Sequence, residues 1–289
     1  MTGRPPALDP RFVAAISAAR RRAAPEARFL RRLAPWQGLA ILAVLALSVA
    51  AGEAQTLGPA PATGPFHTLL LWIPFILRGF ALNLAMSVFA MILATILGVL
   101  LGLMHVSDSA AMRRVSWFVM QVFRNTPWLV ILFAIILLVP YQIRIAGLVL
   151  FIPAWIKATI GLSLPVMANV SEIVRGAIRS IPGGQWESSE SLAFTRRQTL
   201  WMIILPQCVK RMVPPWMNWY AILTLSTPIA SILGVQEAVG NAQAAMESAG
   251  AHASFLIPFY GFILLLFFVY IYPIARWTLQ LERKYAVRQ

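Results

Sequence analysis

Uncharged runs about as long as a bilayer is thick recur along the chain, and they constrain its fold more than any other feature. They are Leu33–Gly52, Gly79–His105, Met212–Gln236 and Ser248–Ala275. A bilayer core takes about 20 apolar residues per helix, so each run is long enough to cross once. Two further hydrophobic stretches, Val115–Ile143 and Leu148–Ile178, are interrupted by charge at Arg124, Lys157, Glu172 and Arg175. Only 12% of the 289 residues are charged, about half the share of a soluble domain. The reading is an all-α polytopic membrane protein with about six transmembrane helices. A soluble enzyme, a disordered chain and a secreted disulfide domain are excluded. Porin-like barrels show short alternating segments instead.

Charge sets the orientation. The net charge of +14 resembles that of a nucleic-acid binder, but Lys and Arg also collect in cytoplasmic loops of membrane proteins. That second reading is preferred, with no nucleic-acid partner expected. Residues 1–32 hold eight arginines and two acids, which suits a basic cytoplasmic tail. Residues 33–52 follow as an N-terminal helix, expected to be retained rather than cleaved, since the basic segment before it is long for a signal peptide. Residues 53–78 lack Lys and Arg up to Leu77 and suit an external linker, with an interfacial helix around Leu69–Leu77. Arg113 and Arg114 lie in an internal loop on this reading, and Glu237–Ala253 in an external one. Residues 79–282 form the main transmembrane domain, and 283–289 a second internal tail. Both termini are then cytoplasmic, and nearly every basic loop lies on one side.

Few residues suggest chemistry. Cys208 is the single cysteine. His67, His105 and His252 are scattered and read as loop or interfacial side chains. No phosphate-binding loop, catalytic triad or metal-ligand spacing occurs, so no catalytic residue, metal or cofactor is expected and energy must come from a partner or an ion gradient. Arg124 and Glu172 stand out, because charge at mid-depth costs about 3 kcal/mol unless it is paired or faces water. Pairing with each other is the simplest expectation, with interfacial snorkelling as the alternative.

The polar insert 179–211 carries the clearest pattern. Gly183-Gly184 stops the preceding helix, a short polar stretch from Gln185 to Ala193 follows, and Ile203-Ile204-Leu205-Pro206 restarts the apolar pattern. Small residues at 188, 189, 191 and 193 would let another surface approach. In ABC importer permeases this cytoplasmic loop reads Glu-Ala-Ala, three residues, Gly, nine residues, Ile-x-Leu-Pro. Here Glu187-Ser188-Ser189, Ala193 and Ile203-Ile204-Leu205-Pro206 keep that spacing, with serines for the alanines and Ala193 for the glycine. Phe123-Arg124-Asn125-Thr126-Pro127, Glu172-Ile-Val-Arg175-Gly-Ala-Ile and Pro214-Pro215-Trp-Met-Asn218 resemble the polar amino acid uptake subfamily over about Gly79–Glu282. Asn83, Gln121 and Thr224-Leu225-Ser226-Thr227 depart from its usual residues.

The resemblance implies a five-helix type I permease core with one added N-terminal helix, in a bacterial inner membrane. It implies a cytoplasmic ABC ATPase dimer, a periplasmic substrate-binding protein, a second permease copy and membrane lipid as partners. Gly184, Gln185, Glu187, Ser188, Ser189, Ala193 and Pro206 would form the ATPase-docking coupling loop. Asn83, Arg124, Thr126, Glu172, Arg175, Ser226 and Thr227 are pathway or core candidates for a polar amino acid or similar zwitterion. For the small polar ones, helix–helix hydrogen bonding is the plainer alternative. The rival function is an ion-gradient-driven secondary transporter, for which Glu172 would be the only acid within a span. A membrane scaffold is a third possibility, opposed by the elaborate insert.

Overall fold

The computed structural model describes residues 64–285 except 146 and 147. The expected basic tail and first helix lie outside the described residues. The described residues lie in one compact unit. Helix α1 runs Pro65–His105 without a break. The interfacial helix expected at Leu69–Leu77 is therefore not separate. It is the first part of α1, because Pro74 leaves the helix continuous. Forty-one residues rise about 60 Å, roughly twice a bilayer core.

The third hydrophobic stretch divides into α2, Ala110–Asn125, and α3, Trp128–Leu138, at an angle of 105°. Pro127 supplies the stop: it has no N–H to donate and disfavours helix at Thr126 before it. Arg113 and Arg114, expected in a loop, lie on α2, whose N-cap Ser109 accepts from the Met112 amide. The chain then forms an antiparallel hairpin of β1, Gln142–Ile145, and β2, Leu148–Phe151, the sole departure from an all-helical architecture among the described residues. Helix α4 returns over Ala154–Arg179, α5 is Gly183–Ser191, and α6 is the single turn Arg196–Gln198. A π-helical segment, Thr199–Ile204, leads into α7, Leu205–Ser226. A 3₁₀ segment, Thr227–Leu233, connects to α8, Ala238–Ser248, and α9 is Leu256–Tyr285. The expected external loop Glu237–Ala253 is thus largely α8, whose buried face of Ala238, Ala242 and Ala245 supplies the packing that its polarity hid.

By length and apolarity, α1 and the segment Ala253–Arg283 can each cross a membrane, and the bent pairs raise the number among the described residues to four. Helix α4 has the length but carries Lys157, Glu172, Arg175 and Arg179.

Two cores share α1. Its second half packs against α4 along Ala90, Ala94, Gly98 and Gly102, one small residue per turn. A Cβ on Gly98 would lie 2.7 Å from Val170 Cβ and 2.8 Å from the Met167 carbonyl oxygen; at Gly102 it would lie 2.6 Å from Val174 Cβ. Only hydrogen fits there, the small-residue packing that joins helices in lipid. The first half of α1 meets α8, α9 and the turn before α9 through Ile76, Ala242, Phe259 and Phe255.

Candidate functional site

Helix α5 forms the polar loop's tip. Gly183, Gly184, Gln185, Glu187 and Ser188 are exposed, and so is Leu192, the C-cap, at 72%. Ser189 is not available to a second surface: it is buried, and its hydroxyl donates to the Gln185 carbonyl at 2.6 Å. Ala193 lies beyond the helix with φ +58°. This left-handed backbone position, where helices commonly end on glycine, gives a physical reason for a glycine in this part of the loop. Its requirement is conformational, not merely one of size.

Three contacts bind the loop to the longer helices. Arg211 on α7 donates to the carbonyl and hydroxyl of Ser180, both at 2.8 Å, joining the loop's two ends. Arg196 meets Asp108, in the α1–α2 connection, at 3.1 Å, and its guanidinium lies 5.7 Å from the centre of the Trp186 ring. Gln207, next to Pro206 at the start of α7, approaches Gln185 at 3.4 Å. These contacts connect the polar loop to α4, α7 and the α1–α2 connection.

A charged cluster centres on Glu172. Arg175, one turn later on α4, donates to both carboxylate oxygens at 2.9 and 2.6 Å. Arg124, at the end of α2, stands 3.8 Å away and half exposed. The expected Arg124–Glu172 pair is thus the looser arm of a larger group whose principal partner is Arg175. The i,i+3 spacing within one helix favours Arg175, whereas Arg124 must reach across from another. His105 completes the group: it is 3.7 Å from Glu172, and its Nδ1 pairs with the Ser116 hydroxyl at 2.6 Å. Expected as a loop or interfacial side chain, it is the buried last residue of α1.

The neutral polar candidates divide. Asn83 and Thr227 are both fully buried. Asn83 Nδ2 donates to Thr227 Oγ1 at 2.9 Å and Glu237 Oε2 at 2.8 Å, while its Oδ1 accepts from the Ala238 amide at 3.0 Å. Thr126 donates to the Val122 carbonyl and Ser226 to that of Ile222, each on its own helix.

Glu237 is the residue that a reading of loops missed. Expected as part of an external loop, it is the fully buried N-cap of α8, accepting from the amides of Val239 and Gly240. A Cβ on Gly79 would come within 2.5 Å of its backbone carbonyl carbon, so α1 and this cap meet backbone to backbone. An acid preceding Ala238-Val239-Gly240 is an N-cap signal that could have found it. Lys157 was likewise not assigned a role: it is buried and donates to the Val139 carbonyl at 2.7 Å, at the C-terminal end of α3. Among the described residues there is no cluster of metal-ligating side chains.

Residues 94–276 match the family described as "Binding-protein-dependent transport system inner membrane component". The chain is similar to the "Probable glutamine ABC transporter permease protein GlnP" of Bacillus subtilis, with 28% identity over 216 residues, 75% of this chain and 94% of that protein. It is 31% identical over 190 residues to the "Probable amino-acid ABC transporter permease protein PatM" of Vibrio harveyi, covering 66% of this chain and 83% of that one. In fold it resembles a crystal structure of an amino acid ABC transporter with histidines, at TM-score 0.65 and 24% identity, over 76% of this chain and 98% of that chain. An inward-facing structure of the MetNI methionine ABC transporter matches at TM-score 0.54 and 15% identity, over 75% and 97%.

Proposed function

From the premise that this chain belongs to the binding-protein-dependent transport inner membrane components, as an ABC importer permease of the polar amino acid type, we propose that it supplies half of an import pathway for a polar amino acid. The family is a transport component and not a catalytic enzyme. A cytoplasmic ATPase dimer drives the cycle, an external binding protein delivers the solute, and a second permease copy completes the pathway. The glutamine and amino-acid permeases among its relatives support that substrate class.

The observation that carries the coupling role is α5 itself: a nine-residue helix with Glu187 and Ser188 exposed and an apolar knob, Leu192, facing out. An exposed leucine beside a polar helix suits a socket on a partner, and the ATPase is the partner proposed. When the ATPase dimer closes, α5 moves as a rigid body. The Arg211–Ser180 bonds then pass the displacement to α4 and α7. Pro214 and Pro215 interrupt the α7 hydrogen-bond ladder and give that helix a place to bend. The cluster around Glu172 lies where α2 and α4 would separate or close.

The test uses the complete transporter in proteoliposomes. Glu187→Arg and Leu192→Asp should each abolish substrate-stimulated ATP hydrolysis and co-purification of the ATPase, with the permease still inserted. Retention of both activities in both variants would refute docking at α5. Uptake of labelled glutamine, challenged with other amino acids, then identifies the solute.

A further inference from the structure

An open cavity of ≈870 Å³ lies between one face of α2 and the end of α4. Five arginines line it, Arg113, Arg114, Arg124, Arg175 and Arg179, against one carboxylate, Glu172. That carboxylate is already held by Arg175 through two hydrogen bonds. Arg113 donates only to the backbone carbonyls of Ser107 and Asp108, both at 2.7 Å. Among the described residues Arg114 and Arg179 have no hydrogen bond or ion pair. The chain therefore gathers like charge in one concave place and leaves most of it without a counter-charge. On the same face of α2, Trp117 and Phe118 are 57% and 63% exposed at the cavity's edge.

We propose that this cavity binds the phosphate headgroup of an anionic phospholipid. Guanidinium forks match phosphate oxygens two at a time, which a solvated surface charge would not need. Trp and Phe side chains beside the arginines suit the zone where headgroup meets acyl chain. Basic pockets between membrane helices on the cytoplasmic side take such headgroups. The cavity adjoins the loop contacts: Arg113 reaches Ser107 and Asp108, and Asp108 in turn holds Arg196. A bound headgroup would brace α2 against α4 at the base of the coupling loop, whichever solute is carried.

The experiment is native mass spectrometry of the delipidated transporter complex, titrated separately with phosphatidylglycerol, phosphatidylcholine and inorganic phosphate. Phosphatidylglycerol should bind more tightly than phosphatidylcholine. Arg114→Gln with Arg179→Gln should weaken it about 30-fold, as removing two interfacial cations predicts. Arg114→Lys with Arg179→Lys should fall between the native cavity and the Gln pair, because it keeps the charge and loses the guanidinium fork. Arg276→Gln with Arg283→Gln, at the end of α9, should leave it unchanged. Should the first pair disturb assembly, Trp117→Ala replaces it, with weakened phosphatidylglycerol binding again expected. Equal binding of the two lipids, or undiminished phosphatidylglycerol binding in the cavity variants, overturns the proposal. Binding of inorganic phosphate alone, lost in the Gln pair while lipid binding persists, assigns the cavity to a free anion and also overturns it.

Discussion

Ala193 has a φ of +58°, a conformation that costs an L-residue with a Cβ about 1–2 kcal/mol and costs glycine almost nothing. Ala193→Gly should raise the stability of the loop region by about 1 kcal/mol, read as slower hydrogen exchange over α5 in the intact complex. Unchanged or faster exchange would mean that the strain is compensated elsewhere. At Glu172 the geometry ranks its partners. Arg175 makes two close hydrogen bonds and Arg124 one contact at 3.8 Å. Double-variant cycles on uptake should therefore show stronger coupling of Glu172→Ala with Arg175→Ala than with Arg124→Ala. The reverse order would place the functional pair across α2 and α4. Arg124 and Glu172 were legible as a pair from their cost in a membrane. The ranking of Arg175 above Arg124 was not, because it depends on how far Arg124 stands from Glu172 across two helices, and the addition of His105 depends on α1 packing beside α2 and α4.

Two element-scale devices are open to test. The α1–α4 contact depends on hydrogen at Gly98 and Gly102, so Gly98→Val should push the helices apart and destabilise the protein by about 1–3 kcal/mol. Thermal unfolding of the solubilised full chain reads this directly. Gly176, also on a helix but with open space where its Cβ would go, should tolerate Ala. Helix α3 ends on carbonyls held by the buried Lys157 ammonium, a cation at the negative end of the helix dipole. Lys157→Met keeps the aliphatic length but removes that donor. It should cost about 1–3 kcal/mol, with the loss seen as faster exchange in α3. The 3.6-residue period disclosed neither device. Helix α1 is apolar nearly all round, so its packing face cannot be told from its lipid face by pattern alone.

In the whole molecule, α1 joins two cores that differ in character. One groups α1 with α4 and α7 behind the polar loop, and the other groups α1 with α8 and α9. The Asn83–Thr227–Glu237 network lies where the 3₁₀ segment and α8 meet α1. Glu237→Gln retains one acceptor for the α8 amides but loses charge-assisted capping. It should destabilise the protein and slow transport without altering the ranking of solutes, which uptake competition checks. A changed ranking would instead place this network on the pathway.

Long uncharged runs, the lopsided distribution of arginines and the loop spacing from Glu187 to Pro206 were all decided by the sequence. They determine a membrane-embedded helical protein and bound the polar loop, because insertion cost and turn chemistry act residue by residue. The tertiary structure alone decided that Ser189 turns inward, that Glu237 is buried and that α2 and α3 break at 105°. It also decided that five arginines converge on one cavity. Those facts depend on which helix faces touch, and helices that are apolar on every side leave that choice to packing.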